Sequence, residues 1–200
     1  MSINVCNDRS MASITSLPSG VSGGSLVLLS TTTASSSATV DITSDIDSTY
    51  KEYQVHFFDV HPQSGSRLAF QVDTGTNTNY NQTITSTAWT STSNEGGTEA
   101  IINYQTASDQ AQGTGFQYLT DQLEADNDSC AAGTLHIFDP SNTTFVKHFI
   151  ARTQFHQADP SSREYYVSGY FNTTTALTRF QFKMHSGNID AGTIKLYGVS

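Results

Sequence analysis

The sequence has few charged residues and almost no cysteine, proline or tryptophan. Asp, Glu, Lys and Arg make up 14% of its 200 residues, which include 2 Cys, 4 Pro and 1 Trp. Soluble domains typically carry roughly 25% charged residues, so most of the polarity here must come from uncharged side chains. Ser and Thr supply it, at roughly a quarter of the chain. Because Thr favours strands and Ser favours turns, this composition predicts strands joined by polar turns.

The acidic balance of the chain argues against a nucleic-acid ligand. The formal net charge is −9 at pH 7, and the 9 basic residues are scattered without a run. Binding to phosphate backbones or anionic lipids depends on clustered Lys and Arg, which release counterions. We therefore expect no contact with nucleic acid or with a membrane surface.

The two cysteines, Cys6 and Cys130, are far apart in the sequence, and sequence alone does not decide whether such thiols pair. The first residues show no basic region followed by an apolar run, so no secretory signal is predicted. The apolar stretch 26–29 is far too short to span a bilayer. We expect two unbonded thiols, typical of a protein assembled in a reducing cytoplasm, and alkylation without reductant should modify both.

Residues 1–24 differ in composition from the rest of the chain. Single apolar residues alternate with Ser, while Pro18, Gly20 and the pair Gly23-Gly24 interrupt any helix. This segment has too few apolar residues to form a core alone. It is predicted to be either an extended arm that becomes ordered against a partner or a disordered tail. Residues 25–200 are predicted to form the folded domain.

From residue 26 onward, segments of alternating polar and apolar residues are separated by clusters of turn residues. About ten strands with one inward face each predict an all-β protein, an antiparallel two-sheet β-sandwich. A jelly roll suits that number of strands, and another Greek-key order stays open. Residues 118–124 alone suggest a helical turn. The predicted strands are 26–30, 38–42 (after a Thr/Ser turn), 53–58, 68–73, 84–90, 100–104, 133–138, 144–156 (with a bulge), 165–171 (after a turn that includes Ser161 and Ser162), 180–185 and 193–199 (after a turn at 186–192).

The six histidines invite a metal or catalytic interpretation. They form no His-x-His pair, no His-Glu-x-x-His motif and no helical pair four residues apart. Several alternate with apolar neighbours, which places them on the outward faces of their strands. We therefore predict a structural role and no metal site for His56, His61, His136, His148, His156 and His185.

Two groups of acidic residues offer oxygen ligands of the kind that calcium prefers. Residues 124–129 contain three carboxylates and an amide, but they lack the spacing, the turn Gly and the distal Glu of an EF-hand loop. Asp41, Asp45 and Asp47 form the second group. Both are predicted to be solvated loops without a metal.

Motifs for nucleophilic catalysis or paired-carboxylate catalysis are missing. Ser168-Gly169 lacks the upstream glycine of a nucleophile elbow, neither cysteine has a catalytic signature, and Gly113-Thr-Gly115 is too short for a dinucleotide fingerprint. Glu95 and Glu99 could be drawn as a glycosidase pair, but Glu95 lies in a predicted turn. The sequence therefore predicts no enzyme and no cofactor.

Surface aromatics offer a route to glycan binding, because rings on β-sandwiches can stack on sugars. The candidates are Trp89 and the pairs Tyr165-Tyr166 and Tyr170-Phe171. Since neighbouring residues of a strand face opposite sides of the sheet, one member of each pair is predicted to belong to the core.

Five segments together resemble a known group of proteins. They are 46–55, 57–62, 111–117, 134–148 and 182–198, the last containing Ser-Gly-Asn-Ile-Asp-Ala-Gly-Thr-Ile-Lys-Leu-Tyr-Gly. In this combination the chain, over residues 10–200, resembles small virion structural proteins of marine tailed bacteriophages that infect cyanobacteria and abundant marine bacteria. The resemblance implies a virion component without enzymatic activity, and it brings no catalytic residue.

Two functions follow as hypotheses. The first is a non-enzymatic virion protein on the particle exterior, a capsid decoration or cement protein that contacts the major capsid protein, with residues 1–24 adding contacts. The second is a receptor-binding module of a tail fibre or spike that recognises host surface glycan; a secreted cellular carbohydrate-binding domain is disfavoured by the missing signal. Thr-rich strand edges need protection, so a homo-oligomer is expected, and a trimer by analogy with symmetric virion platforms.

Overall fold

The computed structural model describes residues 26–157 and 161–200, and the predicted arm 1–24 lies outside them. The described residues form β-strands joined by turns, with no helix. In this part of the chain the thirteen strands are β1 (Leu26–Ser37), β2 (Val40–Ile42), β3 (Glu52–Pro62), β4 (Leu68–Thr74), β5 (Ile84–Asn94), β6 (Ala100–Tyr104), β7 (Ala111–Gly113), β8 (Gln117–Tyr118), β9 (Ala131–Phe138), β10 (Lys147–Gln157), β11 (Ser161–Phe171), β12 (Leu177–Met184) and β13 (Ile189–Val199).

The strands form two antiparallel sheets that pack face to face. The large sheet has the order β1-β13-β3-β9-β10-β11-β5-β6, with β7 also paired to β5, and the small sheet has the order β2-β12-β4-β8. Without β5–β7 and β10–β11, eight strands remain, and they can be counted from one to eight along the chain. In the large sheet they then lie in the order one-eight-three-six (β1-β13-β3-β9), and in the small sheet in the order two-seven-four-five (β2-β12-β4-β8). This interleaving is the strand order of a jelly roll. The predicted all-β sandwich and its jelly-roll topology are confirmed.

The two insertions, β5–β7 and β10–β11, enlarge the large sheet alone. The inner side of the large sheet at these inserted strands is covered by the chain segment before and after β8. There Thr153 Oγ1 donates to the Leu119 carbonyl, and Gln105 Nε2 donates to Thr90 Oγ1 at 2.9 Å. The outer side carries no such cover within the described residues, so the insertions create a wide, exposed sheet face.

The core between the sheets is built on phenylalanine. The Phe70 ring of the small sheet lies 5.2 Å from the ring of Phe149 and 5.9 Å from that of Phe171, both on the large sheet, and 6.3 Å from that of Phe182. Phe57 adds a contact to Phe182 at 5.4 Å. All five side chains are buried. Because edge-to-face rings gain energy beyond the apolar area that they bury, this cluster is the main link between the two sheets.

The turn predicted between residues 30 and 38 is wrong, because β1 continues through this Thr/Ser stretch to Ser37. Thr32 pairs with Ile194 and Ala34 with Gly192 of β13. β-Branched Thr fits a paired strand, and the long ladder with β13 outweighs the local preference of Ser for turns. Gly192 has a φ of 130°, and a Cβ there would lie 2.8 Å from the Val60 Cα, so β13 and β3 approach closely only where no side chain intervenes.

Four further local predictions are wrong. Residues 118–124 form no helical turn, since Leu123 instead exchanges backbone hydrogen bonds with Ser66. β10 begins at Lys147 and pairs with β11 in unbroken register, so it lacks the predicted bulge. Ser161 and Ser162 belong to β11 rather than to a turn, and β13 begins at Ile189 rather than at residue 193. In each case backbone pairing with another part of the chain decides the local conformation.

β4 differs from the predicted one-sided strand, because all of its residues are buried. Gln71 and Asp73 lie beneath the segment that joins β4 to β8. Gln71 Nε2 donates to the carbonyls of Gln82 and Gly115, both at 3.0 Å. The Asp73 carboxylate accepts from the Tyr80 backbone N–H at 2.9 Å and from Gln82 Nε2 at 3.0 Å. The small sheet is therefore covered at β4 by the chain itself.

Candidate functional site

The acidic candidates do not meet at one point. Asp41 Oδ1 accepts from Gln181 at 2.7 Å, while Asp47 Oδ1 accepts from the Thr49 backbone N–H at 2.7 Å. Among residues 26–157 and 161–200, no three His, Cys, Asp or Glu side chains are placed to hold a metal ion. Glu95 and Glu99 lie in the connection between β5 and β6. Asp41 thus links β2 to β12, and Asp47 acts as a turn acceptor.

The loop 124–129 contributes to a shallow pocket near the β3–β13 bulges. Asp128 lines it together with Asp59, Asp190 and Cys130. Burial, and then the nearby Asp59, raise the pKa of the Cys130 thiol. A protonated thiol is a poor nucleophile, so this pocket lacks a reactive cysteine. Cys6 lies outside the described residues, and its predicted lack of a bond to Cys130 stays a prediction.

The histidines occupy separate positions. His136 Nδ1 lies 2.7 Å from Glu52 Oε1, His156 Nδ1 lies 3.0 Å from Ser129 Oγ, and His185 Nδ1 lies 3.0 Å from the Tyr118 hydroxyl. Burial, followed by the charges of His136 and Lys195, lowers the pKa of His56. His61 Nδ1 lies 3.9 Å from Asp190 Oδ2, and His148 is exposed on β10.

The aromatic pairs divide between the two sides of the large sheet, as predicted. Tyr165 and Phe171 are buried in the core, while Tyr166 and Tyr170 point outward. Trp89 stacks on Tyr166 with ring centroids 3.9 Å apart and planes 8° apart.

The outward side chains of the large sheet, called the outer face below, carry most of the exposed apolar surface. Of the nine large hydrophobic side chains exposed in the described residues, seven lie on this face by strand parity and register. None of the nine lies on the small sheet. These seven are Leu26, Leu28, Phe58, Trp89, Ile102, Tyr104 and Ile150. Because contiguous apolar patches are typical of interaction sites, the outer face is the candidate interaction surface.

Cross-strand register arranges the outer face in rows. A middle row consists of Tyr197, Gln54, His136, Ile150, Ser168 and Thr87. The next row consists of Lys195, His56, Thr134, Arg152, Tyr166, Trp89 and Tyr104. On these rows and their neighbours, Glu52 and Glu164 are offset by Lys195 and Arg152. These rows are thus close to neutral, although the whole chain carries −9. Asp59 and Asp190 lie beyond them, at the pocket near the β3–β13 bulges.

The outer face ends at an unprotected edge strand. All residues of β6 are exposed, and the strand contains neither charge nor proline. Ile102 is 73% exposed. Natural sheets usually guard such edges with Lys, Pro or a bulge. An edge without these devices is suited to pairing with another chain.

A buried cation lies at the start of β10. Lys147 is fully buried, and its Nζ donates to the Thr173 carbonyl at 3.1 Å. Burial lowers the pKa of this ammonium, and Asp139 opposes the shift only in part. The folded state therefore binds its proton less tightly than the unfolded chain does.

Replacing Lys147 by Met should leave the free energy of unfolding unchanged or raise it by up to about 1 kcal/mol at pH 7, since Met keeps the stem without the buried charge. In the unsubstituted protein, stability should rise as the pH increases from the lowered pKa of Lys147 to about 10.4, its unfolded value. In the Lys147→Met variant this increase of the unfolding free energy with pH should be absent, as measured by urea titrations at a series of pH values. A loss of more than about 1 kcal/mol at pH 7 would show instead that the bond to Thr173 outweighs the desolvation cost.

No helix in residues 26–157 or 161–200 is long and apolar enough to cross a membrane. The chain matches no protein-family model, no curated protein and no solved structure.

Proposed function

We propose that this protein is a non-enzymatic virion structural protein on the exterior of a bacteriophage particle, acting as a capsid decoration or cement protein. The observation that carries the proposal is the outer face, a wide sheet surface with nearly neutral central rows that holds seven of the nine exposed large hydrophobic side chains of the described residues. Such a surface suits permanent contact with a protein neighbour. We assign that neighbour as the major capsid protein, with a tail component as the alternative.

The fold supports the proposal by analogy. Jelly rolls recur in viral capsid and lectin domains, although a fold alone does not determine function. The resemblance of the five sequence segments to marine phage virion proteins points the same way. A tail location would use the same outer face and would differ in the number of copies on each particle.

Self-association is part of the proposal. The outer edge of β6 presents backbone groups that can pair with a strand of another chain. In a closed homo-oligomer, a second copy of this protein would supply that strand and bury the edge. We propose a trimer, matched to a three-fold position on the particle. Light scattering at micromolar concentration tests this directly, and a monomer would contradict it.

Charge placed on the outer face should block attachment. Ile102→Asp adds a carboxylate at a highly exposed position, so folding should be unaffected, while burying that charge at an interface costs several kcal/mol. We expect binding to particles that lack the protein to weaken by at least about tenfold, one step of 1.4 kcal/mol. Thr43→Asp, exposed beyond β2, is the matched control and should bind normally. Equal binding by both variants would contradict a role for the outer face.

Deleting residues 1–24 tests their predicted part in attachment. The segment has too little apolar content to fold alone, so its contribution should come from contacts with a neighbour. The truncated chain should bind depleted particles more weakly than the full chain. Equal binding would identify the segment as a passive tail and leave the outer-face assignment intact.

A further inference from the structure

A groove crosses the outer face where the two insertions meet the jelly roll. It has a volume of about 590 Å³, within the range of small-ligand sites. Ile150, Ser168 and Thr87 of the middle row line its floor, and Tyr170 and His148 stand on one side. The small side chains of Ser168 and Thr87 create the depression between rows of larger ones.

The groove continues into a second depression of about 560 Å³. Phe138 and His148 line both. The second depression reaches Phe145, whose side chain is 70% exposed. Two adjoining depressions of this size suit a chain of several units better than a single small molecule.

The lining selects a neutral, hydroxylated ligand. No Asp, Glu, Lys or Arg lines the first groove, so it holds no permanent charge to pair with a phosphate, sulfate or carboxylate. The one carboxylate of the second depression, Asp139, is paired with Lys51 at 3.0 Å. Rings lie beside hydroxyls, and within the described residues the hydroxyls of Ser168 and Thr87 make no hydrogen bond to the protein. A purely apolar ligand would desolvate those hydroxyls without replacing their water. A sugar suits both the hydroxyls and the rings, because its own hydroxyls bond to Ser and Thr while its C–H face packs on an aromatic ring.

The ring that a sugar would use is Tyr170 rather than Tyr166. Tyr166 has Trp89 stacked on one side, at 3.9 Å, and the Arg152 guanidinium on the side of β10, 5.4 Å from its centroid. Both of its faces are therefore occupied. Tyr170 lines the groove, and the ring that it meets among the described residues is that of His148, at 6.1 Å with the planes tilted by 56°.

We propose that this groove binds a neutral oligosaccharide, with Tyr170 and Phe138 packing on sugar rings and Ser168 and Thr87 bonding to sugar hydroxyls. The groove lies within the outer face, so a bound sugar and the proposed attachment would compete for the same surface. Sugar binding is therefore tested on the purified full-length chain with soluble glycans.

The experiment screens the full chain against an array of neutral and acidic glycans and then titrates neutral hexasaccharides and an oligogalacturonate of equal length. At least one neutral hexasaccharide should bind, and the oligogalacturonate should bind at least about tenfold more weakly. Thr87→Arg, which fills the groove from an exposed position, should weaken binding by at least about tenfold, and Tyr170→Ala should do the same. Phe58→Ala, on the outer face but away from the groove, is the matched control and should stay within about twofold.

Three results would overturn the proposal. One is the absence of binding to any neutral glycan. Another is binding that Thr87→Arg and Tyr170→Ala leave unchanged while both variants keep the thermal unfolding of the parent chain. The third is that Thr87→Arg abolishes attachment of the protein to particles while no glycan binds to the unsubstituted chain. The groove would then be a protein interface.

Discussion

Replacing Phe70 by Ala is expected to lower the free energy of unfolding by about 3–5 kcal/mol, the usual cost of emptying a buried phenylalanine site. Phe70 is fully buried, and its ring contacts Phe149, Phe171 and Phe182 across both sheets. The cavity would open at the centre of the sandwich, where strands paired on both sides cannot move inward. Urea denaturation monitored by circular dichroism measures the change.

The matched control is Phe145→Ala, which removes the same side chain from an exposed loop position and should change stability by less than about 0.5 kcal/mol. A cost below about 1.5 kcal/mol for Phe70→Ala would contradict the assignment of this ring as the centre of the core.

Replacing Asp73 by Ala is expected to cost about 2–4 kcal/mol, because the carboxylate accepts hydrogen bonds that would otherwise leave buried donors unpaired. Its Oδ2 accepts from the Tyr80 N–H, and its Oδ1 accepts from the Thr74 N–H and Gln82 Nε2, all within 3.0 Å. The loss should loosen the segment over β4. Hydrogen exchange should report faster exchange at Tyr80.

Asp73→Asn retains the shape of the side chain and one acceptor oxygen, so it should cost less than Asp73→Ala. The exposed Asp128→Ala is the matched control and should be close to neutral. If Asp73→Ala were also neutral, the cover over β4 would not depend on this carboxylate.

Most strands could be predicted because their alternation is local. Tyr53, Val55 and Phe57 alternate with polar residues, and all three are buried in β3. The stretch from residue 31 to Ser37 was predicted wrongly, because its conformation is decided by β13, which lies at the other end of the chain. The burial of Gln71 and Asp73 could not be predicted either, because it depends on a segment that folds back over β4.

The candidate site could be predicted only in part. Strand parity predicted that one member of each pair, Tyr165-Tyr166 and Tyr170-Phe171, faces outward, but it did not say which one; Trp89 was recognised as a candidate surface aromatic. The groove was missed because Ser168, Thr87 and Ile150 come from three strands whose register no local pattern encodes. The exposed β6 strand was recognised as a strand, but its edge position follows from the complete strand order.

The number of copies of this protein on each purified particle tests the central proposal most directly. Quantitative mass spectrometry with labelled standard peptides, referenced to the major capsid protein, gives that number. An exterior decoration protein should be present in on the order of hundreds of copies, in a simple ratio to the symmetric capsid lattice. A handful of copies would move the protein to the tail, and its absence from purified particles would contradict a virion role.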